Sequence, residues 1–184
     1  NINFIVITQI LLRGQPLGSF KGVLFDKDGT LTNSEDHLII LAKARLKATK
    51  KLLSKKPQNL EEIEYFTNLL KITYGLTDAG LSPHGCIAIG SRQQNLISTA
   101  TILYLLEKNW SESMSLAIQI FLAADKEAEE ILNSTKNTRP IFNEALSFLY
   151  ELKKHKIQCA LISNDSQKGI QDFIKLNKLE NIFE

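Results

Sequence analysis

The spacing of hydrophobic positions along the chain changes character twice. Val23, Leu24 and Phe25 form a short apolar run that breaks at Asp26 into turn-forming residues, and they predict a buried strand over 21–25. From about 35 to 138 the period becomes helical. Leu38, Leu41, Ala42, Leu46, Leu52 and Leu53 mark one face of a first helix behind an N-cap candidate at Asn33-Ser34, while Lys43, Arg45, Lys47, Lys50 and Lys51 fall mostly elsewhere and read as a solvated face. Pro57 breaks this helix, and Asn59 caps the next, whose Ile63, Phe66, Leu69 and Leu70 lead to Gly75. Ser82-Pro83-His84-Gly85 is a turn and 86–89 a brief strand. Ser91 then caps a helix carrying Leu96, Ala100, Leu103 and Leu106, and Ser111 caps another carrying Met114, Ala117, Ile118, Phe121, Ala128, Ile131 and Leu132.

After Arg139-Pro140 the alternation of strand and helix returns. Ala145, Leu146, Leu149 and Leu152 give a helical face, 157–162 an apolar strand ending at Ser163-Asn164-Asp165, and Ile170, Phe173 and Ile174 a second helical face. At the N-terminus, 4–12 predicts an added strand and 13–18 a loop. The fold class is therefore α/β, with a parallel-sheet core interrupted by an all-helical insertion. The expected organisation is an N-terminal extension over 1–19, core segments at 20–34 and 139–184, and a helical insertion at 35–138.

The chemistry sits where the first strand ends, in Asp26-Lys27-Asp28-Gly29-Thr30-Leu31. Strand side chains alternate, so Asp26 and Asp28 can face one pocket while Lys27 turns aside. Gly29 permits a sharp turn and Thr30 offers a hydroxyl to hold it. Ligands of open α/β sheets bind just outside the carboxyl ends of strands. An EF-hand does not fit, since counting from Asp26 places Gly29 fourth and His37 twelfth, where such a loop needs glycine sixth and glutamate twelfth.

This string resembles the first motif of the haloacid dehalogenase superfamily, an apolar strand followed by Asp-x-Asp-Gly-Thr-Leu. The resemblance implies a Rossmann-like core with a helical cap, and an Asp26 carboxylate that attacks phosphorus to form an aspartyl-phosphate. It implies that Asp28 protonates the leaving oxygen and then activates water, and that Mg2+ is held by the Asp26 carboxylate and the Asp28 carbonyl. Ser163 matches the second motif, so its hydroxyl and the Asn164 amide are expected to bind phosphate oxygens. The position of the cap resembles the phosphoglycolate phosphatase and β-phosphoglucomutase branch. The implied activity is a Mg2+-dependent phosphatase acting on a small phosphorylated metabolite. A phosphomutase of the same branch, or a non-catalytic binding module on the same fold, are the alternatives. The pump ATPases, with Asp-Lys-Thr-Gly-Thr, carry threonine where Asp28 stands.

Composition narrows the picture further. A net charge of +2 over 184 residues, without a clustered basic motif or stacking aromatics, argues against a nucleic-acid partner. The apolar stretch at 4–12 is too short to span a bilayer, and no basic segment or small-residue cleavage site flanks it as in a signal peptide. Cys86 and Cys159, far apart in apolar surroundings, read as free thiols of a cytoplasmic protein. Trp110 reads as a packing anchor, and His84 and His155 have no second ligand at metal spacing. Oligomeric state leaves no mark. The family's later lysine and acidic motifs find no match here, Lys168 and Lys175 coming too early in the topology. The 184 residues by themselves are therefore expected to show little phosphatase activity, and an N-terminal Asn1 suggests ends that differ from those of a natural reading frame.

Overall fold

The structure is a computed structural model that describes residues 9–55, 59–107, 109–135 and 140–183. The chain divides into two compact units, the first drawn from Asn1–Asn33, Pro140–Ser163 and Gln167–Glu184, the second from Ser34–Arg139 and Asn164–Ser166.

The first unit opens with a hairpin, β1 (Gln9–Leu12) and β2 (Gln15–Ser19). A loop was expected where β2 lies. The cause is local: Arg13 and Gly14 both adopt positive φ (51° and 79°), which suits a two-residue turn between right-twisted strands. The rest of the predicted N-terminal strand, 4–8, lies outside the described residues. Strand β3 (Gly22–Asp26) pairs in parallel with β6 (Gln158–Ile162), with Gly22 opposite Gln158 and Asp26 opposite Ile162. On its other edge β6 bridges to Phe183 through Cys159.

Among the described residues, one face of this pair is covered. Phe25 and Cys159 join Leu149 and Leu152 of α6 (Asn143–Lys154), Phe173 of α7 (Gln167–Leu176), Ile157, Leu179 and Ile182 in one buried cluster. Phe25 also meets Phe148 and Phe183 edge to face, with centroids 6.1 and 6.4 Å away. On the opposite face Leu24 is 70% and Ile162 60% exposed. The strand expected to be buried is thus half-buried, because the helices supply cover to one side and the pleat sends alternate residues to the other.

In the second unit, α5 (Trp110–Thr135) packs on both α1 (Glu35–Leu53) and α4 (Arg92–Glu107), and α1 also packs on α2 (Leu60–Tyr74). Ala44, Ala48, Ala100, Ala117, Ala124 and Ala128 line the buried seam, where small side chains let helices approach closely. Asn59 forms a reciprocal capping box with Glu62, and Ser91 does the same with Gln94. The last long helix starts before Ser111. Asn109 is its cap, accepting from the Glu112 amide at 3.2 Å, so the helix begins at Trp110, which is half-exposed. The brief strand expected at 86–89 is a short helix, α3 (Cys86–Ile89). The only pairing among the described residues of this unit is a two-residue hairpin, β4 (Leu76–Thr77) with β5 (Gly80–Leu81). No helix of the described residues is long and apolar enough to cross a membrane.

Arg45 departs from the solvated face on which the basic residues of α1 were expected mostly to lie. It is buried, with its guanidinium 3.9 Å from the centroid of Phe121 and Nη1 donating to Asn95 Oδ1 at 3.3 Å. Because α1 is sandwiched by α2 and α5, its covered face is wide, and a weakly hydrated guanidinium tolerates an aromatic wall. Burial lowers the pKa of Arg45 from its usual value. Beside it, the buried Tyr74 hydroxyl lies 2.6 Å from Thr99 Oγ1. Burial, opposed by that hydrogen bond and by Arg45, pushes the Tyr74 pKa up to about 12. The folded chain therefore holds this proton more tightly than the unfolded one. Stability from this group is complete below pH 10 and is lost as pH rises toward 12, by about 2–3 kcal/mol. Urea unfolding followed from pH 9 to 12 is expected to show this decline, and Tyr74→Phe to flatten it. An equal decline in the variant would assign it to other groups.

Candidate active site

The turn after β3 is built by its own backbone. Leu31 and Thr32 amides both donate to the Lys27 carbonyl, at 3.0 and 3.1 Å, and the Gly29 amide donates to the Thr32 carbonyl at 2.9 Å. Gly29 has φ 83°, a left-handed conformation that favours glycine, and this is its reason for being there: a Cβ would meet nothing within 4 Å. The loop is anchored from below by buried Leu31 and Thr32. Thr32 Oγ1 donates to the Pro140 carbonyl at 2.9 Å and the Phe142 amide donates to the Leu31 carbonyl at 2.9 Å, so the point where the core chain resumes is fastened to the motif.

This frame presents two carboxylates differently. Asp26 is exposed, and its Oδ2 accepts from Thr30 Oγ1 at 3.2 Å. Asp28 is partly buried and lies against Lys27, whose Nζ stands 3.0 Å from Oδ1 and 2.8 Å from Oδ2. Phe25 and Lys27 are both buried, as strand parity requires, with the Lys27 ammonium 5.8 Å from the Phe173 ring centroid. Lys27 does turn into the core. Its ammonium nevertheless returns to Asp28, which the expectation of a lysine aimed away from the acids missed. Parity describes where a side chain leaves the backbone; a four-carbon stem can bring its charge back.

Ser163 follows β6 directly, and since Ile162 stands opposite Asp26, the structure brings Ser163 to the same strand ends as the acids, within one unit. Asn164 groups with the helical unit, where its side-chain amide donates to the Ile89 carbonyl at 3.3 Å. Lys168 and Lys175 lie exposed on α7. Arg92 forms a forked ion pair with Asp125, Nη1 to Oδ1 at 3.0 Å and Nη2 to Oδ2. A groove of 450 Å³ on the helical unit, lined by residues including Leu52, Glu112 and Gln119, contains none of the predicted site residues.

Residues 20–184 match the haloacid dehalogenase-like hydrolase family. The chain belongs to that family. Its fold is accordingly the family's α/β fold with a parallel sheet and added helices. Among solved structures, the L-2-haloacid dehalogenase from Xanthobacter autotrophicus is 18% identical, with 90% of this chain and 55% of that chain covered and a TM-score of 0.34. The chain thus spans about half the length of that dehalogenase. No curated protein matches the chain.

Proposed function

We propose that the protein is a Mg2+-dependent phosphatase that cleaves a small phosphomonoester through an aspartyl-phosphate on Asp26. The observation that carries the reading is the second carboxylate. Hydrolysing an alkyl phosphate expels an alkoxide that needs a proton, whereas halide leaves without one, and Asp28 is an acid two residues beyond the exposed Asp26. In the first step an Asp26 oxygen bonds to phosphorus as the ester P–O bond breaks and Asp28 gives its proton to the departing oxygen. In the second, Asp28 takes a proton from water as that water attacks phosphorus, freeing phosphate and restoring Asp26. Thr30 holds one Asp26 oxygen and orients the other toward the substrate. Ser163 and Asn164 would bind phosphate oxygens.

Among the described residues no three His, Cys, Asp or Glu side chains cluster to cage a metal. Mg2+ needs no such cage, usually taking one or two carboxylates, waters and substrate phosphate, so the oxygen donors at Asp26 and the Asp28 carbonyl suit it. It would neutralise phosphate charge and align the ester with Asp26. The helical unit would act as a lid that selects the metabolite and excludes water. The unbridged Cys86 and Cys159 fit a cytoplasmic location.

The test is product analysis of the native protein, with and without a chelator, on a panel of phosphomonoesters and a 2-halocarboxylate. Phosphate release that stops on chelation is expected, with no halide. Halide release, or phosphate release indifferent to chelation, would overturn the reading. Interconversion of sugar phosphates with little free phosphate would replace it with a mutase.

A further inference from the structure

Lys27 is 1% exposed, and a lysine so buried requires a counter-charge. Its stem follows the core side of β3 and its ammonium reaches both oxygens of Asp28, at 3.0 and 2.8 Å. The acid motif consequently carries its own cation, which offsets one of the two negative charges its acids bear when both are ionised. We propose that Lys27 is a positioning residue that tethers the Asp28 carboxylate and tempers the affinity of the acid pair for a divalent cation. This rests on the metal-dependent reading above and adds to it a residue which sequence parity assigns to the core.

The tether has two consequences. First, it restricts the rotamers of Asp28, an acid that must later meet a leaving oxygen, so the carboxylate is placed before substrate arrives. Second, it sets an electrostatic penalty for cation entry. A unit positive charge several ångströms from a dication weakens binding on the order of tenfold even in a water-like dielectric. Binding that is weakened in this way leaves the metal site poorly filled until a phosphate adds its own negative charge and tips the balance. A merely structural lysine would behave oppositely, since removing it would loosen the loop and weaken every ligand.

The sign of the effect is therefore the test. Mg2+ titrations of the full chain, followed by the backbone amide NMR signals of residues 26–30, compare wild type with Lys27→Met and Lys27→Arg. Lys27→Met is expected to bind Mg2+ about tenfold more tightly, and Lys27→Arg to stay within about twofold of wild type because the charge is kept. Unchanged or weaker binding by folded Lys27→Met would overturn the proposal and leave the phosphatase reading standing. Absence of Mg2+ binding in all three chains would instead overturn the metal-dependent reading. Should Lys27→Met fail to fold, the side-chain ammonium signal of Lys27 decides: it is expected to be protected from solvent exchange in wild type and to lose that protection in Asp28→Asn. Protection that survives Asp28→Asn would show that the tether is not what holds the ammonium.

Discussion

Asp26→Asn is expected to lower phosphate release by about 10,000-fold or more while leaving the fold intact. In the proposed mechanism Asp26 is the nucleophile, the one group whose loss removes the covalent route altogether, and in enzymes whose residues act as a unit such losses commonly reach this size. An amide oxygen is neutral and a poor nucleophile toward phosphorus. It can still accept the Thr30 hydroxyl that now donates to Oδ2 at 3.2 Å, and Asp26 is exposed, so stability should change by less than about 0.5 kcal/mol. Asp28→Asn makes a diagnostic contrast. With an alkyl phosphate its loss should approach that of Asp26→Asn, whereas an aryl phosphate, whose leaving oxygen needs little help from an acid, should retain much more of the first step. The checks are steady-state rates on both ester types and intact-mass detection of a phosphorylated Asp26. Retention of a tenth of the activity by Asp26→Asn would overturn covalent catalysis at that residue.

Gly85→Ala is expected to cost the helical unit about 3 kcal/mol or more. Gly75 ends α2 with φ 79°, and the chain returns so that the Ser82 amide donates to the Gly75 carbonyl at 2.8 Å. This return presses Gly85 onto the end of the helix. A Cβ on Gly85 would stand 2.5 Å from the Gly75 Cα, 2.5 Å from the Tyr74 carbonyl oxygen and 2.9 Å from the Gly75 nitrogen. All three are backbone atoms, so no side chain can swing away, and the loss should lie at or beyond the upper end of ordinary overpacking. Gly85 has φ −72°, so the loss would be steric. Gly14→Ala isolates the other cause: φ is 79° but nothing lies within 4 Å, and about 1 kcal/mol is expected. Urea unfolding of the two variants side by side reads the difference. Equal losses would mean that the Gly75–Gly85 approach is looser than the structure shows.

Much of the candidate site was legible because its signals are local. An apolar run broken by Asp26, Asp28 and Gly29 marks a strand end, and Asn59, Ser91 and Gly75 mark helix ends through chemistry confined to a few residues. The same locality misled where a short segment could satisfy two patterns. Residues 86–89 are apolar enough for a strand, yet Gly85 and Gly90 bound a single helical turn there, with the Gly90 amide donating to the Cys86 carbonyl at 2.9 Å. Likewise, 13–18 contains Gly and Pro and reads as a loop, although most of it is the turn and return strand of a hairpin.

By itself the sequence determined the strand that carries the acids, the helical character of the insertion and the membership of the hydrolase family, since periodicity and motif spacing are properties of neighbouring residues. Only the tertiary structure decided that one face of β3 is covered and that Arg45 lies against Phe121 within a helical sandwich. It alone decided that Lys27 enters the core and still reaches Asp28. The physical reason is common to these cases: a side chain's exposure and charge partners depend on which distant elements close over it, and a long cationic side chain settles where tertiary packing leaves it both an apolar wall and a counter-charge or acceptor.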